Sequence, residues 1–238
     1  MPGKSLVKVK HGVFQGILAR FYSLKEPFTD DFERSALAEK VLPSINHVWI
    51  GKPHDRVEKN YIVEFKGFLK VQESGSYRFF VVANNGIKLW LNEKLLLESW
   101  RDSPTRRLDT SSISLEKGYY RIRLLHYCKV GFSEVRLGWV KPNGKEEYIP
   151  GENMCFSTGE HVFVLLPDKY VVRVAPLRDD VREKLCISLN NTCVVEVPYG
   201  EQPLIALLSI YDEKGQIVFR TTEPVELWGG DVLEYRTS

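Results

Sequence analysis

Five histidines, His11, His47, His54, His126 and His161, and four cysteines, Cys128, Cys155, Cys186 and Cys193, are the residues best suited to metal binding, proton transfer or nucleophilic attack. Their spacing argues against all three. The histidines are widely separated, and the cysteines lack the C-x-x-C pairing of a zinc site. His54-Asp55 has the composition of an acid/base dyad, but neighbouring side chains on a strand point to opposite faces. With 31 Asp and Glu residues, a carboxylate pair flanking a glycosidic bond can be drawn in many ways, and nothing selects one. There is no glycine-rich phosphate loop and no G-x-S-x-G elbow. The expectation is therefore a chain that is not an enzyme and whose polar residues bind rather than react.

Three of the four cysteines lie in apolar, strand-like runs, so buried free thiols are the first expectation. The alternative is a Cys186 to Cys193 bridge across the turn Leu189-Asn190-Asn191-Thr192. Asn190-Asn191-Thr192 has the form of a glycosylation acceptor, but is read more simply as that turn. A net charge of +2 leaves no strong electrostatic footprint for nucleic acid. No segment approaches the ~20 apolar residues of a membrane span, and the N-terminus has no uninterrupted apolar stretch, which predicts a cytoplasmic protein. The basic loop Arg101 to Arg107 (RDSPTRR) reads as solvated, with Arg106 and Arg107 paired to carboxylates, or alternatively as a contact for phosphate or an acidic glycan. High Lys and Glu with only 2 Met suggests a thermophilic source.

The elements that would position these residues are almost all strands. Tyr77 to Trp90 (YRFFVVANNGIKLW) places a polar Asn-Asn-Gly tip between two alternating runs, which predicts a β-hairpin. Trp90 and Trp139 fall at expected inward positions. Asp30 to Lys40 (DDFERSALAEK), with an acidic start and Pro43 beyond it, predicts one short helix. Further alternating runs with Gly and Asn turns indicate an antiparallel β-sandwich or barrel over residues 1–155. The pattern breaks at Gly151 to Gly159, and a second strand series predicts a smaller β-sandwich over residues 160–238. Within it, Asp212-Glu213-Lys214-Gly215 is expected to close a hairpin.

Over roughly residues 12–155 the order of motifs resembles the PA-fourteen domain, related to the GLEYA and flocculin lectins. The match runs through GILARFYS (Gly16 to Ser23), HVWIGKP (His47 to Pro53), FKGFLKVQESGSYRFFVVANNGIKLWLNEKLLLESW (Phe65 to Trp100), LEKGYYRIRLLHY (Leu115 to Tyr127) and VRLGWVKPNG (Val135 to Gly144). The resemblance implies a non-catalytic module that recognises carbohydrate or glycoconjugate through the 83–86 tip and the 98–109 loop. Lectins of that family hold calcium with two aspartates at the tip. Here the matching residues are Asn84 and Asn85, which either simply make the turn or offer carbonyl oxygens without charge, so no cofactor is the first expectation. Should calcium bind, its donors would be Asn84 and Asn85 with Asp102 or Asp109 folding back from the loop. Trp49 and Trp100, at strand ends beside loops, are candidates to stack on a sugar ring, with Arg101 and Asp102 as polar neighbours. The alternative is an intracellular structural or assembly protein that uses the same fold for protein–protein contacts.

Overall fold

Strict alternation forces each strand to bury one face, and IKLWL at Ile87–Leu91 shows the rule: Ile87, Leu89 and Leu91 are buried, while Lys88 and Trp90 are half-buried on the opposite side. The computed structural model describes residues 4–24, 36–129, 131–157, 159, 161–177, 181–197 and 203–237. These residues form two compact units, one comprising Gln15–Phe156 and the other Met1–Phe14 with Ser157–Ser238.

The first unit is a sandwich of two antiparallel sheets. One is built on Tyr61–Val71 and Gly118–Cys128, paired without interruption from Gly118 opposite Val71 to Cys128 opposite Tyr61. Ile87–Leu91 and then Lys94–Ser99 extend it on the Gly118–Cys128 side, and Ile17–Ser23 and Ala38–Leu42 on the other. The second sheet centres on Gly75–Ala83 and Phe132–Val140, flanked by Arg106–Asp109, Ile113–Leu115, Asn46–Ile50 and Glu146–Tyr148. Both sheets feed one core, with Phe21, Phe65 and Leu69 from the first and Phe79, Leu137 and Trp139 from the second. Burial of this apolar area is the main stabilising contribution.

In the second unit, His161–Leu165, Thr192–Glu196, Val232–Thr237 and Lys4–Lys10 form one sheet. Val171–Pro176, Lys184–Ile187, Leu204–Tyr211, Ile217–Arg220 and Val225–Leu227 form the other. Val164, Val172, Cys193, Leu208, Ile210 and Leu233 are among the residues that fill its separate core. Leu204–Tyr211 and Ile217–Arg220 are joined as expected, with the Asp212 carboxylate accepting from the Lys214 and Gln216 amides.

Several expectations change here. The strand Lys4–Lys10 pairs with Val232–Thr237, so the N-terminal segment joins the C-terminal unit rather than residues 1–155. Of the expected helix, residues 30–35 lie outside the described residues, and Ala38–Leu42 is a strand paired with Ile17–Ser23. Local helix propensity there yields to a sheet edge that offers a full ladder of partners. Trp139 faces the core, 5.4 Å from Tyr77. Trp90 instead lies on the outer face, where a smaller cluster of Leu24, Ile62, Leu125 and Tyr127 packs with it and Trp100. The two cysteines 186 and 193 are bonded rather than free, whereas Cys128 and Cys155 are free thiols. The disulfide joins an edge strand of one sheet to an edge strand of the other, across a turn in which Asn190 and Asn191 both adopt positive φ, 51° and 56°.

Candidate functional site

The Asn-Asn-Gly tip is not a hairpin. Ala83 pairs with Arg106 and Val135 in one sheet, whereas Ile87 pairs with His126 and Ser99 in the other. Residues 84–86 therefore form an arch that carries the chain between the two layers of the sandwich. Only Asn85 takes the left-handed conformation, at φ 52°. Gly86 is required for a different reason: a Cβ there would lie 2.0 and 2.4 Å from two ring carbons of Tyr127 and 3.0 Å from Trp100. Tyr127 and Trp100 meet edge to face at 4.9 Å beneath it.

The arch is fixed by a dense polar network. The Asn84 side-chain NH2 donates to the Phe132 carbonyl at 2.9 Å, and its carbonyl accepts from the Glu134 amide at 3.0 Å. The Asn85 backbone amide donates to the Ser103 carbonyl at 2.9 Å, which ties the arch to the following loop. From that loop the Arg106 guanidinium donates to the Asn85 carbonyl at 3.1 Å, to the Ala83 carbonyl at 3.5 Å and to the hydroxyls of Ser99 and Ser103. Burial and the nearby charge of Arg101 both push the Arg106 pKa down. Behind the arch His126 is fully buried, with Nδ1 3.1 Å from the Gly86 carbonyl and Nε2 2.9 Å from the Ser133 hydroxyl. Because a carbonyl only accepts, Nδ1 must carry the proton, and Nε2 then accepts from Ser133. Burial, reinforced by Arg106, lowers the His126 pKa to about 4, so the ring is neutral at ordinary pH.

Asp102 sits at the rim. Its carboxylate accepts from the Tyr127 hydroxyl at 2.7 Å and from the Lys129 ammonium at 2.6 Å. Those two donors, Lys129 first, hold its pKa below the ordinary carboxylate range, and the Tyr127 phenol is pushed up by burial and by Asp102. Lys88 lies 5.4 Å from the centre of the Trp100 ring, and pairs with Glu98 at 3.0 Å. Arg101 is exposed and has no hydrogen-bond or ion-pair partner among the described residues.

The structure therefore brings Asn84, Asn85, Trp100, Arg101 and Asp102 to one arch and its neighbouring loop, whereas Trp49, opposite Ser133 on the strand Asn46–Ile50, turns to the core. Trp49 stacks on His47 at 5.2 Å, meets Phe21 edge to face at 6.0 Å and packs against the core. Arg106 departs from expectation, since its contacts are neutral oxygens rather than carboxylates, while Arg107 does pair with Asp109 and Glu146. Arg106, His126, Tyr127 and Lys129 were not singled out from sequence as parts of the tip. The usable signal was the polar His126 within the apolar run LLHY, since a fully buried imidazole needs partners on both nitrogens.

A calcium ion does not fit this donor set. The Asn84 carbonyl is engaged by the Glu134 amide, the Asp102 carboxylate carries the Lys129 ammonium, and Asp109 is bound to Arg107. Among the described residues no group of three or more His, Cys, Asp or Glu side chains could hold a metal ion. No helix among them is long and apolar enough to cross a membrane.

A two-sheet β-sandwich with a polar arch and an adjoining loop at one edge defines the class of module. Residues 15–153 match the PA14 domain, and the chain belongs to that family. It is 27% identical over 203 residues to anti-sigma-I factor RsgI3 of Acetivibrio thermocellus, a match covering 81% of this chain and 30% of that protein, so the chain spans less than a third of the relative's length. It is also similar in fold to an anti-sigma factor domain-containing protein from Clostridium clariflavum, with TM-score 0.54 and 20% identity over 74% of this chain and 60% of that one. A PA14 sugar-binding domain from an RTX adhesin superposes with TM-score 0.50 and 16% identity, covering 60% of this chain and 99% of that one.

Proposed function

We propose that this chain is a non-catalytic recognition module that binds carbohydrate or glycoconjugate at the 84–86 arch and the 98–109 loop, without calcium. The observation that supports this most is how the polar groups of the arch divide. Asn84, Arg106 and His126 point inward and hold the backbone rigid. The Asn85 side-chain amide has no partner among the described residues, and the arch carries it near exposed Arg101 and half-buried Trp100. A preorganised backbone that presents a few hydrogen-bonding groups next to an aromatic surface suits a polyhydroxylated ligand, because little ordering remains to be done on binding. The sugar-binding description of a structural neighbour with the same fold agrees with this reading.

The Cys186–Cys193 bond favours an oxidising compartment over the cytoplasm expected from sequence, since reducing thiol pools keep most cytosolic cysteines free. The decisive experiment is thermal unfolding against a glycan panel, with and without calcium. A sugar-dependent rise in midpoint that survives chelation and disappears in the double variant Asn85→Ala, Arg101→Ala supports the reading. No rise with any glycan refutes it. A second reading, a protein partner, rests on relatives described as anti-sigma factors. Its expected signature is a complex with a protein on gel filtration that no glycan displaces.

A further inference from the structure

The charges around the arch do not balance, and the imbalance has a direction. Each carboxylate of the neighbourhood is already paired: Asp102 with Lys129, Glu98 with Lys88, Asp109 with Arg107, and Glu134 with Arg136. Two guanidinium groups on the same loop have no such partner among the described residues. Arg106 is half-buried and donates only to two carbonyls and two serine hydroxyls, all of them neutral. Its Nε is buried with no acceptor among the described residues. Arg101, five positions earlier, is exposed and unpaired, and it acts on Arg106 strongly enough to help lower its pKa.

A half-buried cation without a counter-charge is an unfavourable arrangement that an incoming anion relieves, and the attraction is stronger where part of the surroundings is protein rather than water. Guanidinium groups also match the geometry of carboxylate and sulfate with paired donors. The imbalance is local, because the whole chain carries a formal charge of only +2 and so has no general affinity for polyanions.

From this we infer that the ligand of the arch is an acidic glycan, its uronate or sulfate group held by Arg101 and drawn by the unneutralised Arg106, with its ring beside the half-buried Trp100. This rests on the carbohydrate reading above and names the class of sugar. Specificity on this account comes from charge at one point of the ligand, whereas the Asn85 amide and Trp100 accept any ring that presents hydroxyls.

The test is titration calorimetry on the full chain at low salt with three uronate oligosaccharides, hyaluronan tetrasaccharide, an alginate trisaccharide and a galacturonate trimer, each beside its methyl ester. Esterification removes the charge and leaves the ring. At least one acid should bind about tenfold or more tighter than its ester, the difference should shrink as sodium chloride rises, and Arg101→Gln should abolish it. Lys214→Gln, an equal loss of charge on a loop of the other unit, should leave binding unchanged. Acid and ester binding alike would overturn the inference and leave the carbohydrate reading intact. A preference that persists in Arg101→Gln would overturn it by placing the anion elsewhere. Inorganic phosphate or sulfate competing at the concentration of the sugar would overturn it as a site for a bare anion. Absence of binding by any acidic or neutral glycan would remove both this inference and the reading beneath it.

Discussion

Acidification should loosen the arch through His126. The imidazole titrates at about 4 in the folded chain against 6.5 for an ordinary histidine, so between those values the unfolded chain binds a proton that the folded chain does not. Stability is then complete above pH 6.5, falls as the pH drops below it and levels off below about 4. Each pH unit in the window costs about 1.36 kcal/mol, so the fall from 6.5 to 5 is about 2 kcal/mol, and the whole interval is worth about 3 kcal/mol. His126 is fully buried, so screening by solvent does not reduce this contribution. The assay is urea unfolding followed by tryptophan fluorescence at half-unit steps of pH, on the native chain and on His126→Gln. Glutamine can still donate to the Gly86 carbonyl and accept from Ser133, but it does not titrate. His47 is also depressed by burial and leaves a residual slope in both proteins, so the quantity to compare is the difference between them. A variant whose stability falls with pH as steeply as the native chain would refute the argument, as would an imidazole at position 126 found by NMR to titrate near 6.5.

Gly86→Ala should lower stability by about 1–3 kcal/mol, because its Cβ meets the Tyr127 ring at 2.0 Å, whereas Asn85→Gly should be tolerated since its φ of 52° suits glycine. Differential scanning calorimetry distinguishes the two. Asn84→Ala strips a donor and an acceptor from the buried backbone at Phe132 and Glu134, and should cost about 2–4 kcal/mol by chemical denaturation whether or not ligand is present. Replacing Cys186 and Cys193 together by serine should cost about 2.5 kcal/mol from the entropy of a short closed loop, and dithiothreitol should lower the melting midpoint of the native chain by a matching amount. Millimolar calcium should leave the midpoint unchanged. A rise of several degrees would show that Lys129 yields Asp102 to a metal ion.

Alternation of apolar residues made the strands legible, since period two is a direct consequence of strand geometry and each strand here buries one face. What alternation cannot show is which strand is neighbour to which. Two alternating runs around Asn-Asn-Gly look the same whether they pair with each other or arch between layers, because the difference lies in partners such as Val135 and His126 that are distant in sequence. The same limit explains Trp90. Its place in the alternation was visible, but the existence of a second small cluster on the outer face was not, because Leu24, Ile62 and Tyr127 meet only after the sheet forms. The helix expected near Asp30 to Lys40 shows local propensity yielding to a sheet edge, at least where Ala38–Leu42 is described. At the tip, residue types were readable and allegiance was not: Asn84 could face a ligand or make the turn and serves the backbone, while Arg106 looked ion-paired and is not.

Because Lys4 lies opposite Thr237 and the whole of residues 15–156 intervenes, the order of events during synthesis is constrained. Lys4–Lys10 leaves the ribosome before the PA14 unit but finds its place after it, since its ladder cannot form until Val232–Thr237 exists. The PA14 unit is contiguous and closes on itself, with the Gly16 amide bonded to the Met154 carbonyl at 2.9 Å, so it can fold while the strand that precedes it waits. A stalled or truncated chain would thus retain a finished recognition module beside an orphaned strand, Lys4–Lys10. Four of the seven residues of that strand, KSLVKVK, are polar, Lys4, Ser5, Lys8 and Lys10, a content that suppresses edge-to-edge aggregation during the interval.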